Sequence, residues 1–210
     1  ATFEQPLTEK VRSFLRVEHL CRLYRHHRKD HNEAGVRASI QALLDILTVL
    51  SRSDLKNEVL KELSDQHLAL TRLSARPDVD SERLRDVLEE LARAINGVQQ
   101  LATQFAASQL RGNDFLITLN NRSTIPGGTC GFDLPAYNYW LSLPYDAIKR
   151  DLDAWYADIH PFETAINLYL RLLRNSVEAR SLVARNGMFM DTPHASCVLL
   201  RVIVPLALRA

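Results

Sequence analysis

The sequence contains few cysteines, no long apolar run and no hydrophobic leader, and each of these absences excludes a class of protein. Its three cysteines, Cys21, Cys130 and Cys197, lie far apart and form no CxxC pair. This spacing excludes a disulfide framework and predicts reduced thiols in a cytosolic protein. No apolar run approaches the roughly 20 residues that span a bilayer. The first residues lack the hydrophobic region of a signal peptide, so we expect neither membrane association nor export.

The motifs of common enzymes and nucleotide-binding proteins are also missing. No GxSxG nucleophile motif occurs. Gly127-Gly128 is not a phosphate-binding loop, because no cation follows it before Lys149. A dinucleotide site needs a strand before the glycines and a helix after them, which is the reverse of the order predicted here. Asp151 and Asp153 stand next to Lys149, as on a solvated helix face. We therefore predict no catalytic residue, no cofactor and no enzymatic activity.

Histidines are grouped at two places, and neither group predicts a metal site. Between Arg25 and His31, the pair His26 and His31 lacks the i,i+4 spacing that places two ligands on one helix face. His194 and Cys197 could lie close together, but the other ligands of a zinc site are missing there. We interpret the first group as a solvated loop and expect no bound metal.

The net charge is only +1, but the charges are unevenly distributed. Residues 1–31 contain seven Lys/Arg against four Asp/Glu, whereas residues 32–100 contain nine against twelve. From Arg171 to the end there are six arginines against two carboxylates. Both ends are therefore basic and the middle is acidic. This pattern favours an acidic or polar partner and argues against extensive coating by nucleic acid.

Apolar residues recur at helical spacing through the first 121 residues, which predicts a bundle of helices. The first predicted helix covers 7–25, and Asn32 caps the second. The third is capped by Ser53 or Asp54 and ends at Arg76-Pro77. The fourth is capped by Asp80 or Ser81 and has an apolar stripe that reaches Phe105, and a short fifth helix covers 113–121. The stripes are wide and do not follow strict heptads, so a long isolated coiled coil is not expected.

The segment 122–135 interrupts this pattern, because it contains three of the seven glycines and two of the eight prolines. Pro126-Gly127-Gly128 predicts a turn, and the alternation of apolar residues at 130–134 predicts a strand. Helices are predicted again from Pro135, over 146–159 and over 161–175. Two further strands are predicted at 182–190, with a hairpin turn at Asn186-Gly187, and at 198–204.

These predictions define the fold class as α+β. We expect a mainly α-helical bundle over residues 1–124, followed by a mixed region of short strands and helices over residues 125–210. The small β-rich region is formed after the Pro-Gly-Gly turn and at the C-terminus. Three short strands make a thin sheet with exposed edges.

Several blocks of the sequence resemble the ZapD family of bacterial cell-division proteins, in that family's order and near its spacing. The blocks are RSTIPGGTCGFDLPAYNYWLSLP at 122–144, FEQPLTEKVRSFLRVEHL at 3–20, LKNEVLKEL at 55–63, NGMF at 186–189 and LLRV at 199–202. The resemblance implies a cytoplasmic, non-enzymatic homodimer that acts at the division site. Such a protein binds and cross-links filaments of FtsZ, the tubulin-like division protein. Related proteins continue with further strand-rich sequence, so we expect this chain to be truncated at its C-terminus.

The resemblance also implies a partner site, a basic pocket between the helical and β-rich parts that binds the C-terminal tail of FtsZ. Matched block by block, the residues implied are Arg52, Lys56, Arg122 and Arg201. Such a tail is expected to offer carboxylates and an apolar anchor, which suit a site that combines arginines with hydrophobic residues. The alternative, that these four residues are ordinary surface charges, stays open.

An alternative function from another class is nucleic-acid binding, in which a helical protein would use its basic N-terminal cluster. The sequence has neither RNA-binding aromatic motifs nor a helix-turn-helix pattern. The sequence therefore offers no motif that supports nucleic acid as a partner.

Overall fold

The computed structural model describes residues 1–51, 54–74, 76, 79–102, 104–184 and 186–205. The elements, in chain order, are β1 (Thr2–Pro6), α1 (Glu9–His27), α2 (Glu33–Ser51), α3 (Leu55–Leu73), α4 (Ser81–Gln100), α5 (Phe105–Arg111), α6 (Asp114–Ser123), α7 (Pro135–Leu141), α8 (Tyr145–Tyr156), α9 (Ile159–Arg174) and β2 (Leu199–Ile203). These described residues are mainly helical and form one two-stranded antiparallel sheet, which confirms the predicted α+β class.

Side-chain caps fix the start of several helices. Asn32 Oδ1 accepts a hydrogen bond from Gly35 N at 2.8 Å, and Asp80 Oδ1 accepts from Glu82 N and Arg83 N at 3.1 Å each. The predicted caps of the second and fourth helices are therefore confirmed. Ser53 lies outside the described residues. The side chain of Asp54 caps no α3 amide and instead accepts hydrogen bonds from the side-chain amide of Asn57.

The core of the bundle is organised around α2, which packs against α1 and α5. Four of its aliphatic side chains are completely buried: Leu43, Leu44, Ile46 and Leu47. Each such burial contributes on the order of 1.5–3 kcal/mol. By length and composition α2 could also cross a membrane, although no apolar run of that length was expected. Its burial within the bundle explains this composition, because a central core helix needs apolar residues on several faces.

The predicted fourth helix is divided into two in the structure. The backbone of Leu101 is extended, with φ −67° and ψ 145°, so α4 ends at Gln100 and α5 begins at Phe105. The apolar stripe that continues to Phe105 therefore spans two helices. Phe105 nevertheless joins the core, where its ring centroid lies 6.0 Å from that of Phe162 on α9.

The predicted strand at 130–134 is wrong. These residues form consecutive turns, in which Cys130 N donates to Gly127 O at 3.0 Å and Leu134 N donates to Cys130 O at 3.0 Å. Phe132 is 85% exposed, so the alternating pattern does not mark a buried face. Local turn hydrogen bonds satisfy this backbone without a partner strand.

Among the described residues of 182–190, the predicted strand does not form and only Met188 makes an isolated bridge, but the turn within this segment is correct. Asn186 and Gly187 have φ values of 53° and 74°, as a hairpin turn of this sequence requires. Residues 182–184 and 189–190 form no strand. Leu182 and Val183 are 61% and 80% exposed, so no burial stabilises a sheet there.

The third predicted strand, 198–204, is confirmed as β2. It pairs antiparallel with β1, a strand that the sequence did not predict, and Arg201 lies opposite Glu4. The division of the chain into a helical bundle over residues 1–124 and a mixed region over residues 125–210 stays a prediction. Across this position β2 pairs with β1, and α9 packs against α1, α3 and α4.

Candidate partner-binding site

A cleft of about 390 Å³ lies where α2 ends and α3 begins, and we call it the α2–α3 cleft. It is lined by Leu50, Ser51, Asp54, Leu55, Lys56, Gln104, Phe105, Ala106, Ala107, Arg111 and Phe162. The aromatic rings of Phe105 and Phe162 are buried, whereas cationic side chains reach the cleft from α3 and α5. This combination suits a segment that carries both an apolar side chain and carboxylates.

Lys56 is the one described residue of the predicted set that lines this cleft. Its Nζ donates to the carbonyl oxygen of Leu101 and, at 3.5 Å, to that of Gln99. These carbonyls belong to the end of α4, where a cation interacts favourably with the helix dipole. An ammonium group has three donors, so Lys56 can stabilise α4 and still offer charge to a ligand.

Arg111, on α5, is a second cation of the cleft and was not predicted from the sequence. Its Nε donates to Ala107 O at 3.2 Å and its Nη2 to Gln104 Oε1 at 3.1 Å. A guanidinium carries five N–H donors, so further donors remain for a carboxylate. The break between α4 and α5 places Arg111 at this cleft, and the continuous apolar stripe concealed that break.

Arg52 lies outside the described residues. The nearest described residues along the chain on either side, Ser51 and Asp54, both line the α2–α3 cleft. The proposed role of Arg52 therefore rests on the sequence block and on the position of these neighbours.

Arg122 lies in the last turn of α6, where it is exposed and lines neither the α2–α3 cleft nor the cleft beside Arg201. Its carbonyl oxygen accepts a hydrogen bond from Ile125 N at 3.0 Å, which begins the Pro-Gly-Gly turn. The structure thus separates Arg122 from Lys56, and Arg122 stays a predicted contact.

The turn after Arg122 needs both of its adjacent glycines, for different reasons. Gly127 has φ 73° and open space around it, whereas a Cβ on Gly128 would lie 2.5 Å from Arg122 O and 2.9 Å from Ile125 Cβ. We therefore expect Gly128→Val to lower the free energy of unfolding by about 1–3 kcal/mol through overpacking. Urea unfolding measures this cost, and Gly131→Val is the matched control because a Cβ at Gly131 meets nothing closer than 3.5 Å.

This turn is expected to act through folding alone. A Gly128→Val protein that unfolds like the wild type but no longer binds its partner would contradict this interpretation and make the turn a contact.

Arg201 belongs to an ion-pair cluster that attaches the β1–β2 ribbon to the helices. Its Nε lies 2.9 Å from Glu4 Oε1, and its Nη1 donates to Arg174 O at 3.3 Å. Arg174 donates to both oxygens of Glu4 and to both oxygens of Glu18, at 2.6–2.8 Å. Hydrogen bonds from Arg174 hold the pKa of Glu4 below its ordinary value, against the opposing effect of burial. The charge of Arg201 is thus largely compensated by its own chain.

The cleft beside this cluster is distinct from the α2–α3 cleft. It has a volume of about 530 Å³ and is lined by Thr2, Glu4, Leu15, Glu18, Arg22, Arg174 and Arg201. Lys56 and Arg201 therefore do not share one pocket, and the α2–α3 cleft lies among helices. Arg201 stays a predicted contact, and any partner must compete with Glu4 for it.

Comparison with known proteins identifies the relatives of this chain. The model of the ZapD family, described as cell division protein, matches residues 15–210. A cell division protein ZapD of Chromobacterium violaceum is 39% identical over 191 residues, which are 90% of this chain and 75% of the relative. One from Coxiella burnetii is 33% identical over 207 residues, which are 98% of this chain and 80% of the relative.

Proposed function

Since the chain belongs to the ZapD family of cell division proteins, we propose that it is a non-enzymatic adaptor of the division apparatus. It binds the C-terminal tail of FtsZ and, as a homodimer, cross-links FtsZ filaments to promote assembly of the division ring. It acts in the cytoplasm at the division site. The naming of its relatives as cell division proteins supports the role, and the partner is inferred from the family resemblance.

The main structural support for the proposed contact with the FtsZ tail is the α2–α3 cleft. Its lining includes the buried rings of Phe105 and Phe162, against which an apolar side chain can pack, and Lys56 and Arg111, which can pair with carboxylates. Charge-assisted hydrogen bonds to carboxylates are stronger than neutral ones, and a partly apolar setting strengthens them further. Arg52 is expected to add a further cation here.

Dimerisation converts a weak tail contact into a strong attachment. When one protomer holds a tail, the second binds a neighbouring tail at high effective concentration, so filaments are linked without any additional contact. The proposal therefore requires a solution mass near twice the 23.9 kDa of one chain.

Nucleic-acid binding has less support. In the basic N-terminal cluster, Arg25 pairs with the buried carboxylate of Glu163 at 2.5 Å, and Arg28 pairs with Asp153. These carboxylates compete with phosphate groups for the two arginines. A salt titration with duplex DNA distinguishes the functions, because phosphate binding weakens steeply with salt.

Co-sedimentation with FtsZ filaments tests the proposal. We expect the protein to pellet with filaments of full-length FtsZ and to increase their bundling, measured by light scattering. Filaments of FtsZ that lack the C-terminal tail are the matched control, and little protein should pellet with them. Equal sedimentation with both kinds of filament would contradict the tail-binding proposal, and a monomeric mass at micromolar concentration would contradict the cross-linking mechanism.

A further inference from the structure

The C-terminal end of α1 brings together three metal-ligand side chains, His26, His27 and Asp30. One ligand atom from each lies within 4.8 Å of the other two. The two imidazole rings have centroids 5.1 Å apart and an interplanar angle of 75°. Among the described residues, none of the three side chains forms a hydrogen bond or an ion pair. Their lone pairs are therefore open to a ligand.

The backbone after α1 places Asp30 against the last helical turn. Lys29 N donates to His26 O at 3.2 Å and Asp30 N donates to His27 O at 3.0 Å, so the chain folds back on the helix end. Asp30 is four residues from His26 and three from His27, which are the spacings that bring side chains together at a helical turn.

Packing on α2 holds Asp30 in this position. A Cβ added at Gly35, in the first turn of α2, would collide with the carbonyl oxygen and the Cβ of Asp30. The absence of a side chain at Gly35 allows α2 to approach Asp30 closely. The backbone and Cβ of Asp30 are thus held close to α2, while the carboxylate of Asp30 stays exposed and the two histidines lie in the last turn of α1.

The surrounding charges permit a cation at this position. Two of the three neighbouring basic residues are paired, Arg25 with Glu163 and Arg28 with Asp153, so their charges are compensated. The dipole of α1 also favours positive charge near the C-terminal end of this helix. Lys29 is exposed, where solvent screens its charge.

We propose that His26, His27 and Asp30 bind a divalent transition-metal ion, with zinc as the best-suited ion. Two imidazoles and one carboxylate form a donor set that suits zinc and differs from the all-oxygen sets of magnesium and calcium. Zinc–ligand bonds of about 2.0–2.1 Å place tetrahedral ligand atoms roughly 3.3 Å apart, a distance that rotation of these surface side chains can reach. The fourth position is open to water or to a ligand from another molecule.

No metal was expected here from the sequence, because the pair His26 and His31 lacks i,i+4 spacing. In the structure His31 instead stacks on Tyr145, with ring centroids 4.2 Å apart. In the proposed ligand group, the carboxylate of Asp30 stands where His31 had been considered. Asp30 lies four residues after His26, and this spacing is the sequence signal for the group.

Competition between the intact protein and a chromophoric zinc chelator tests the proposal. We expect the wild type to bind one Zn²⁺ at least tenfold more tightly than a His26→Ala/His27→Ala double variant. Asp30→Asn, which keeps the size of the side chain, should weaken binding severalfold. His19→Ala and His67→Ala remove histidines elsewhere on α1 and on α3, and they are the matched controls that should retain wild-type affinity.

Equal zinc affinity in the wild type and the double variant would overturn the proposal. So would an equal loss in the His19→Ala or His67→Ala control, because binding would then be spread over surface histidines. Circular dichroism of each variant verifies its folding, and Asp30→Asn provides a second test that is independent of the two histidines.

Discussion

Replacing Arg174 with leucine should lower the free energy of unfolding by about 2–4 kcal/mol, a value slightly below that for breaking a fully buried ion pair. Arg174 holds Glu4 of β1 and Glu18 of α1, and the side chains of all three are about one-fifth exposed. Leucine would leave two carboxylates close together, and among the described residues Arg201 is the cation that would still pair with Glu4. The β1–β2 ribbon would then lose its main polar attachment to the helices.

Arg171→Leu is the matched control for this prediction. Arg171 lies one turn earlier on α9, its side chain is 51% exposed, and it pairs with the single carboxylate of Glu90. An exposed pair of this kind contributes about 0–1 kcal/mol, so urea unfolding should separate the two variants clearly. Equal losses for Arg171→Leu and Arg174→Leu would mean that the cluster has no special role in stability.

The same variant should change the pH dependence of stability. Because the pKa of Glu4 is lowered in the folded protein, its contribution is present above the unfolded pKa and is lost as pH falls through the folded pKa. Arg174, whose pKa is raised mainly by its hydrogen bonds with Glu18, keeps its proton throughout this acidic range. The wild type should therefore lose stability on acidification more steeply than Arg174→Leu.

Local signals explain why most helices were predictable. Apolar spacing and side-chain caps act over a few residues, so Asn32 and Asp80 correctly marked helix starts. The turn at Asn186-Gly187 was also predictable, because its dihedral angles depend on those two residues. The false strand at 130–134 shows the limit, since alternation alone does not supply a partner strand or burial.

Contacts between distant parts of the chain were not predictable from one sequence. Glu4 and Arg201 face each other across the ribbon although almost the entire chain separates them, and no local pattern announces β1. For the same reason, candidate basic residues could be chosen from the sequence, but their neighbours could not. The pairing of Arg201 with Glu4 and the presence of Lys56 and Arg111 in one cleft are seen only in the fold. Charge pairing over such separations depends on the packed fold.

Reversing the charge at Arg52 should weaken binding of a synthetic FtsZ tail by about 2–4 kcal/mol, roughly 30- to 1,000-fold. The proposed function places a carboxylate-bearing tail in the α2–α3 cleft, which the flanking residues Ser51 and Asp54 line. Arg52→Glu removes a charge-assisted contact and adds repulsion between like charges, whereas Arg52→Ala should cost only about 1–3 kcal/mol. Calorimetry at several salt concentrations measures both, and wild-type binding should weaken as salt rises.

Arg85→Glu is the matched charge reversal at a distant place. Arg85 is exposed and lies near Ser74, which follows the C-terminal end of α3. Lys56 lies at the other end of α3, and the helix between these two ends is about 25 Å long. Screening over more than two Debye lengths should leave tail affinity nearly unchanged in this variant. Since both reversals change net charge equally, a selective loss in Arg52→Glu identifies a local contact. Equal affinity in the wild type and Arg52→Glu would remove Arg52 from the site and leave Lys56 and Arg111 as its cations.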